Sequence, residues 1–244
     1  MRKVTLFIGA LLITINCLKA QDSTGLSQTI HTSNILDNFS GLKSYFVATS
    51  FRPVENTVGS PYLYPDWGHL WLDSMENKAV KYSVVYEGNL DLEKNMLIIK
   101  AGDSKAFAPE TNDIQAFHLR KDDMEQSFVS VKADGVSKFM QRLSAGKYWL
   151  VKDIKVKLER SNFEDKGMVQ TGKKYDEYKR EANYYLLKDG VPVKVTMKKK
   201  SFLASLGKDP KALATAKKFL DTYDSSFDEK AMVGAVDAIN HDQD

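Results

Sequence analysis

The sequence predicts an α+β fold: a mostly antiparallel sheet of about nine or ten short strands, arranged as a sandwich or barrel, with two or three C-terminal helices. Three observations carry this. Tyr148 to Leu158 and Val191 to Met197 alternate apolar with polar residues, which is the period of a strand. Asp134-Gly135 and Asp189-Gly190 stand between apolar runs, where both residues can take the positive φ of a tight hairpin turn. After Ser201 the apolar spacing changes to three and four, and Asp209-Pro210 offers a capping acid followed by proline at the first helical position.

The chain opens with a targeting pattern. Arg2 and Lys3 precede an uncharged apolar run from Val4 to Ile15, and Leu18-Lys19-Ala20 place a small residue ahead of Gln21. Residues 1–20 therefore read as a secretory signal peptide cleaved between Ala20 and Gln21. The run falls short of the ~20 apolar residues that a permanent membrane helix needs. Lipid anchoring at Cys17 is the poorer reading, because Asn16 stands where a small residue is required. Beyond residue 20 there is no cysteine, so the exported chain has no disulfide, thiolate nucleophile or Cys-ligated metal.

Export also changes the charge. Arg2, Lys3 and Lys19 leave with the signal, and the formal net charge of +3 falls to zero. The basic excess belongs to the leader, so nothing points to nucleic acid as a partner. The expected location is periplasmic or extracellular, with no transmembrane anchor in the mature chain.

Residues 21–58 read as a mobile, Ser/Thr-rich leader followed by a segment that packs on the domain through Leu42, Tyr45, Phe46, Val47 and Phe51. A β-rich domain follows over 59–200. Its strands are read at Trp67 to Leu72, Ala79 to Tyr86, Met96 to Lys100, Asp113 to Arg120, Ser127 to Lys132 and Val136 to Leu143, and then in the two alternating stretches and Tyr184 to Leu187. In Tyr148 to Leu158 the even positions form a buried face, while Asp153, Lys155 and Lys157 form a wet one. Pro192 cannot donate to a ladder, which places the last strand at an edge, and its lysines discourage pairing with another chain. The stretch 161–180 is poor in apolar residues and reads as a surface insertion.

Residues 201–244 hold the helices, packed on the same domain. One spans Ser201 to Leu206 and closes at Gly207; one carries Leu213, Ala216, Phe219, Leu220 and Tyr223; the last follows Ser225-Ser226-Phe227-Asp228. The lysines from Lys188 to Lys218 are expected to pair with the acids that follow Phe219, in preference to forming a patch for an anionic surface.

Several of these stretches occur together elsewhere. Gly59-Ser60-Pro61-Tyr62-Leu63 ahead of Trp67, the strands near Lys81-Tyr82 to Ile99, Tyr184-Tyr185-Leu186-Leu187-Lys188-Asp189-Gly190, and the Leu206-Gly207 step form one such series. In this the chain resembles a group of exported, β-rich bacterial envelope proteins without an established activity. The resemblance covers most of the chain from Gly59 and implies export and a β-rich fold; it transfers no catalytic residue.

No catalytic signature appears: there is no Gly-x-Ser-x-Gly, no His-Glu-x-x-His and no phosphate-binding glycine loop. Ser40-Gly41-Leu42-Lys43 fits Ser-x-x-Lys, but the companion Lys-Thr-Gly is missing. His31, His69, His118 and His241 lie outside metal-site spacing of one another, so neither metal nor cofactor is expected. Short glycosylation patterns at Asp22-Ser23-Thr24, Asp73-Ser74-Met75 and Asn38-Phe39-Ser40 add little.

The sharpest local feature is aromatic: Tyr62, Tyr64, Trp67, His69 and Trp71 fall within ten residues. In a strand from Trp67, the side chains of Trp67, His69 and Trp71 share one face. Buried, they are core; exposed, they stack on sugar rings or an apolar ligand with His69 as polar handle. The leading expectation is a non-catalytic binding or accessory module whose partner is an envelope glycan or another envelope protein. The alternatives are a glycan or peptide hydrolase built from distant carboxylates and a histidine, and a structural partner in an envelope complex.

Overall fold

The computed structural model describes Phe39 and residues 42–242, except 50, 53, 81–83, 103–104, 168 and 208. The signal segment with Cys17, Ala20 and Gln21, most of the leader, His31 and Ser40-Gly41 lie outside the described residues.

In chain order the strands begin with β1 (Ser44–Val47), β2 (Thr57–Val58), β3 (Gly68–Met75) and β4 (Lys78–Ala79). A meander follows of β5 (Tyr86–Asp91), β6 (Met96–Lys100) and β7 (Ala106–Pro109). Four long strands come next: β8 (Ile114–Lys121), β9 (Met124–Ala133), β10 (Val136–Ser144) and β11 (Tyr148–Glu159). The short β12 (Glu164–Asp165) and β13 (Gln170–Thr171) precede β14 (Asp176–Lys188) and β15 (Val191–Val195). Helices α1 (Lys199–Ser205), α2 (Pro210–Thr222) and α3 (Glu229–His241) close the chain.

One sheet holds thirteen of the strands, in the order β1-β7-β6-β5-β3-β8-β9-β10-β11-β14-β15, with β4 on β3 and β2 on β14. Every pairing is antiparallel except β2 with β14. The path ends at β1 and β15, so the sheet is not a closed barrel but folds onto itself like a sandwich. This is the mostly antiparallel α+β arrangement that the patterning predicts. Both Asp-Gly pairs take left-handed turns, with φ of 53° and 79° at Asp134 and Gly135, and 52° and 78° at Asp189 and Gly190. Pro192 sits on the terminal strand, as its missing N–H requires.

Alternate residues of a strand face opposite sides, and this sheet buries both sides in different places. On one face Phe117 stacks on Phe128 at 5.2 Å and meets Phe139 edge-on at 5.0 Å. Leu70 and Leu72 continue that face through their pairing with Leu119 and Phe117. Farther along, it carries Leu150, Tyr184, Leu186 and Val195, which the helices cover with Phe202, Ala216, Leu220, Met232 and Val236. On the opposite face Val129, Val131, Ala133, Met140, Val151, Tyr185 and Leu187 form a separate cluster. Strand β15 returns close to β9 and encloses that side.

This corrects the reading of Tyr148 to Leu158 as one buried and one wet face. Val151 is fully buried on the odd side and Asp153 is only 1% exposed, because the sheet curls around them. Two boundaries also differ. Of the strand expected over Ala79 to Tyr86, Val80, Val84 and Val85 lie outside any strand, and 81–83 lie outside the described residues. The insertion expected over 161–180 ends at Tyr175, because Asp176 pairs with β2 and Glu177 to Arg180 already pair with β11.

The ladder between β10 and β11 starts only at Gln141. At Phe139 the β5–β6 turn takes its place: Asn95 accepts from the Phe139 N–H at 2.7 Å and donates to its carbonyl at 2.9 Å. Helix α1 begins at Lys199, two residues ahead of Ser201 and with no side-chain cap, whereas α2 and α3 begin where their caps predict. Asp209 accepts from Ala212 N–H at 3.1 Å and Asp228 from Ala231 N–H at 2.8 Å. Gly207, at φ 62°, follows α1. The basic and acidic segments do pair: Lys199 lies 2.9 Å from Asp221, and Lys211 lies 3.6 Å from Asp242.

Candidate functional site

The aromatic strip divides three ways. Tyr64 is core: its hydroxyl donates to the Leu119 carbonyl at 3.1 Å, its N–H bonds Asn89 at 3.2 Å, and burial pushes its phenol upward in pKa. Tyr62 and Trp67 pack edge-on against Phe51 at 4.8 and 4.9 Å, over a small cluster that includes Met96 and Ile98. Tyr64 is thus buried in the core, whereas Tyr62 and Trp67 stay half-buried beside Phe51, and Tyr62 lines a cavity next to β14. A Tyr or Trp that precedes a strand can fold back over a neighbouring strand, and linear spacing does not record this.

His69 and Trp71 remain, and β3 holds them beside β8. Register places His69 opposite Arg120 and Trp71 opposite His118. Trp71 is half-buried and stacks on His118 at 4.9 Å with an interplanar angle of 11°. The Arg120 guanidinium lies 5.1 Å from the centre of the Trp71 ring, and His69 approaches that ring at 5.9 Å. His69 and Arg120 are exposed.

A bulge completes the group. Between Leu72, paired with Phe117, and Ser74, paired with Ala116, β3 carries one extra residue, Asp73. Bulges redirect the side chain they carry. Here Asp73 Oδ1 lies 2.9 Å from His118 Nδ1, with the two side chains 16% and 18% exposed. In a neutral ring this bond places the proton on Nδ1 and fixes the plane of the imidazole. That plane is the one stacked on Trp71.

The surrounding charges alternate. Lys100 pairs with Glu87 at 2.7 Å; Glu87 and Arg120 both stand opposite His69; Glu125 stands opposite Arg120. The adjacent row is Trp71, His118 and Ser127. Apart from the Asp73 carboxylate the named charges balance, and planar rings stand among several hydrogen-bonding groups. The group lies on a sheet face. A cavity of 580 Å³ lies elsewhere, between Gly59 to Pro65 and β14.

Linear reasoning found His69 and Trp71, and named His118 without bringing it to them. It missed Asp73 and Arg120. Their only signal is the register between β3 and β8, which Asp73 itself shifts by one. Among the described residues no cluster of three His, Cys, Asp or Glu is arranged to hold a metal, and no helix is long and apolar enough to cross a membrane. No family model, curated protein or solved structure matches the chain.

Proposed function

We propose that the chain is an exported, non-catalytic binding module that takes an uncharged, polyhydroxylated ligand such as an envelope glycan on the β3–β8–β9 face. The observation that carries this is the parallel stack of Trp71 on His118, locked by Asp73 and flanked by Arg120. Stacked rings offer apolar area, while fixed polar groups beside them offer direction; sugars present both an apolar ring face and a fringe of hydroxyls. The balanced charges around His69 favour a neutral ligand over an ion. The signal pattern and the resemblance to exported envelope proteins support the location.

The test is titration of soluble glycan fragments into the protein, read by calorimetry. Trp71→Ala is expected to weaken binding by about tenfold or more, since a stacking contact contributes about 1 kcal/mol beyond its buried area. Unchanged affinity in Trp71→Ala, or no binding across neutral glycans, overturns the reading.

The Asp73–His118 bond supports a second reading, because an aspartate-fixed imidazole is the arrangement of a general base. In that case glycan or peptide fragments are cleaved, and Asp73→Asn abolishes turnover while leaving affinity nearly intact.

A further inference from the structure

A second feature lies farther along β9, on the same side of the sheet as Trp71 but beyond the end of β8. A cavity of 390 Å³ opens at the end of the curled β9–β11–β14 region, within the size range of small-molecule sites. Its floor is apolar: Val131 and Leu187 are buried, and Trp149 pairs with Leu187 across the ladder. The Trp149 indole is fixed, since its N–H donates to the Gly146 carbonyl at 2.8 Å.

The rim is cationic. Lys132 and Lys147 line the opening and are exposed, and neither makes an ion pair among the described residues. Arg142 lies 5.8 Å over the Trp149 ring, and Asp189 is the one acid on the lining among the described residues. Elsewhere lysines are widely committed: Lys188 to Asp209, Lys152 to Glu229 and Lys100 to Glu87. Two uncommitted lysines above an apolar, aromatic floor complement a molecule with a hydrocarbon body and a negative head.

We propose that this cavity is a binding site for a small amphipathic carboxylate, its body against Val131, Trp149 and Leu187 and its head between Lys132 and Lys147. The rim is preformed, because Asn240 bonds the Ala145 carbonyl and both backbone groups of Tyr148, holding the turn that carries Lys147. Preorganisation lowers the ordering cost that weakens small-ligand binding.

Octanoate is the probe, titrated into the full chain by calorimetry, with octanol as its uncharged counterpart. Saturable binding is expected for octanoate and at least about tenfold weaker binding for octanol, which lacks the charge-assisted contacts. Lys132→Glu with Lys147→Glu is expected to weaken octanoate by about tenfold or more. Both side chains are exposed, so this variant should keep the native circular dichroism. The double Lys→Arg variant is expected to retain binding. Equal affinity for octanol, no saturable binding of octanoate, or a charge-reversed variant that binds normally overturns the proposal. Association with anionic phosphatidylglycerol vesicles without binding of monomeric octanoate also overturns it, by making the lysines a membrane-surface contact.

Discussion

Asn240 of α3 holds the backbone of Tyr148 at both ends, accepting from its N–H at 2.9 Å and donating to its carbonyl at 2.9 Å. A third bond, to the Ala145 carbonyl at 3.3 Å, ties the same amide to the β10–β11 turn. One side chain of the last helix thus substitutes for missing backbone partners at the sheet, beside the contacts of Glu229 with Tyr184 and Lys152.

Asn240→Ala should destabilise the fold by about 2 kcal/mol, since partly buried backbone groups lose their partner. Gly146→Ala should act through the same contact, because a Cβ there would stand 2.5 Å from the Asn240 side chain. Urea unfolding of both single variants and the double variant checks this. The double variant should be clearly less destabilised than the sum of the singles, since the two share one interaction.

Gly234 lies within α3, where alanine ordinarily stabilises a helix by about 1 kcal/mol. Here a Cβ would meet the Phe219 ring at 2.4 Å, and overpacking costs about 1–3 kcal/mol. The second effect should win, so Gly234→Ala is expected to lower the midpoint of thermal unfolding. In a Phe219→Leu background the same change should be neutral or stabilising.

Asp209 predicts the pH response. The Ala212 N–H, Lys188 and Tyr148 hold its carboxyl well below the usual carboxylate range. A depressed value means that the charged form is preferred by the folded state. The stabilisation is therefore fully present above the ordinary carboxylate value, and is lost as pH falls below it toward the folded value. Asp209→Asn should flatten the acid limb of a stability–pH curve by lowering stability near neutrality and leaving it nearly unchanged in acid, since asparagine keeps the capping bond but not the charge.

Asp153 is a buried carboxylate whose Oδ2 has no hydrogen bond, with Lys155 and Lys138 at 3.7 and 3.9 Å. A buried charge that is paired but poorly bonded contributes little net stability. Asp153→Asn is expected to change stability by less than about 1 kcal/mol, or to raise it. A loss above about 3 kcal/mol in chemical denaturation would show a strong ion pair instead.

Local chemistry was legible in the sequence wherever one short stretch decides its own shape. Asp134-Gly135, Asp209-Pro210 and Pro192 each act through backbone conformation or a missing donor, and each stands where its chemistry requires. The double-sided burial of β11 was hidden, because Asp153, Lys155 and Lys157 look like a solvated face while the sheet curls over Asp153. The Asp73–His118 bond was equally hidden: it joins residues 45 apart through a bulge that no linear pattern marks. Tyr64 misled for the opposite reason, since its aromatic neighbours suggested a surface while its hydroxyl had a buried carbonyl to bond.

Phe128 and Val129 are neighbours on β9, yet one belongs to the phenylalanine cluster and the other to the cluster enclosed by β15. A pairing slip of one residue moves every side chain of a strand to the opposite face. In most sheets one such slip empties one core; here it would strip two at once. Single-residue insertions or deletions between Phe128 and Val131 should therefore be tolerated far less than substitutions there, so that strand length, more than strand composition, is what the fold holds fixed.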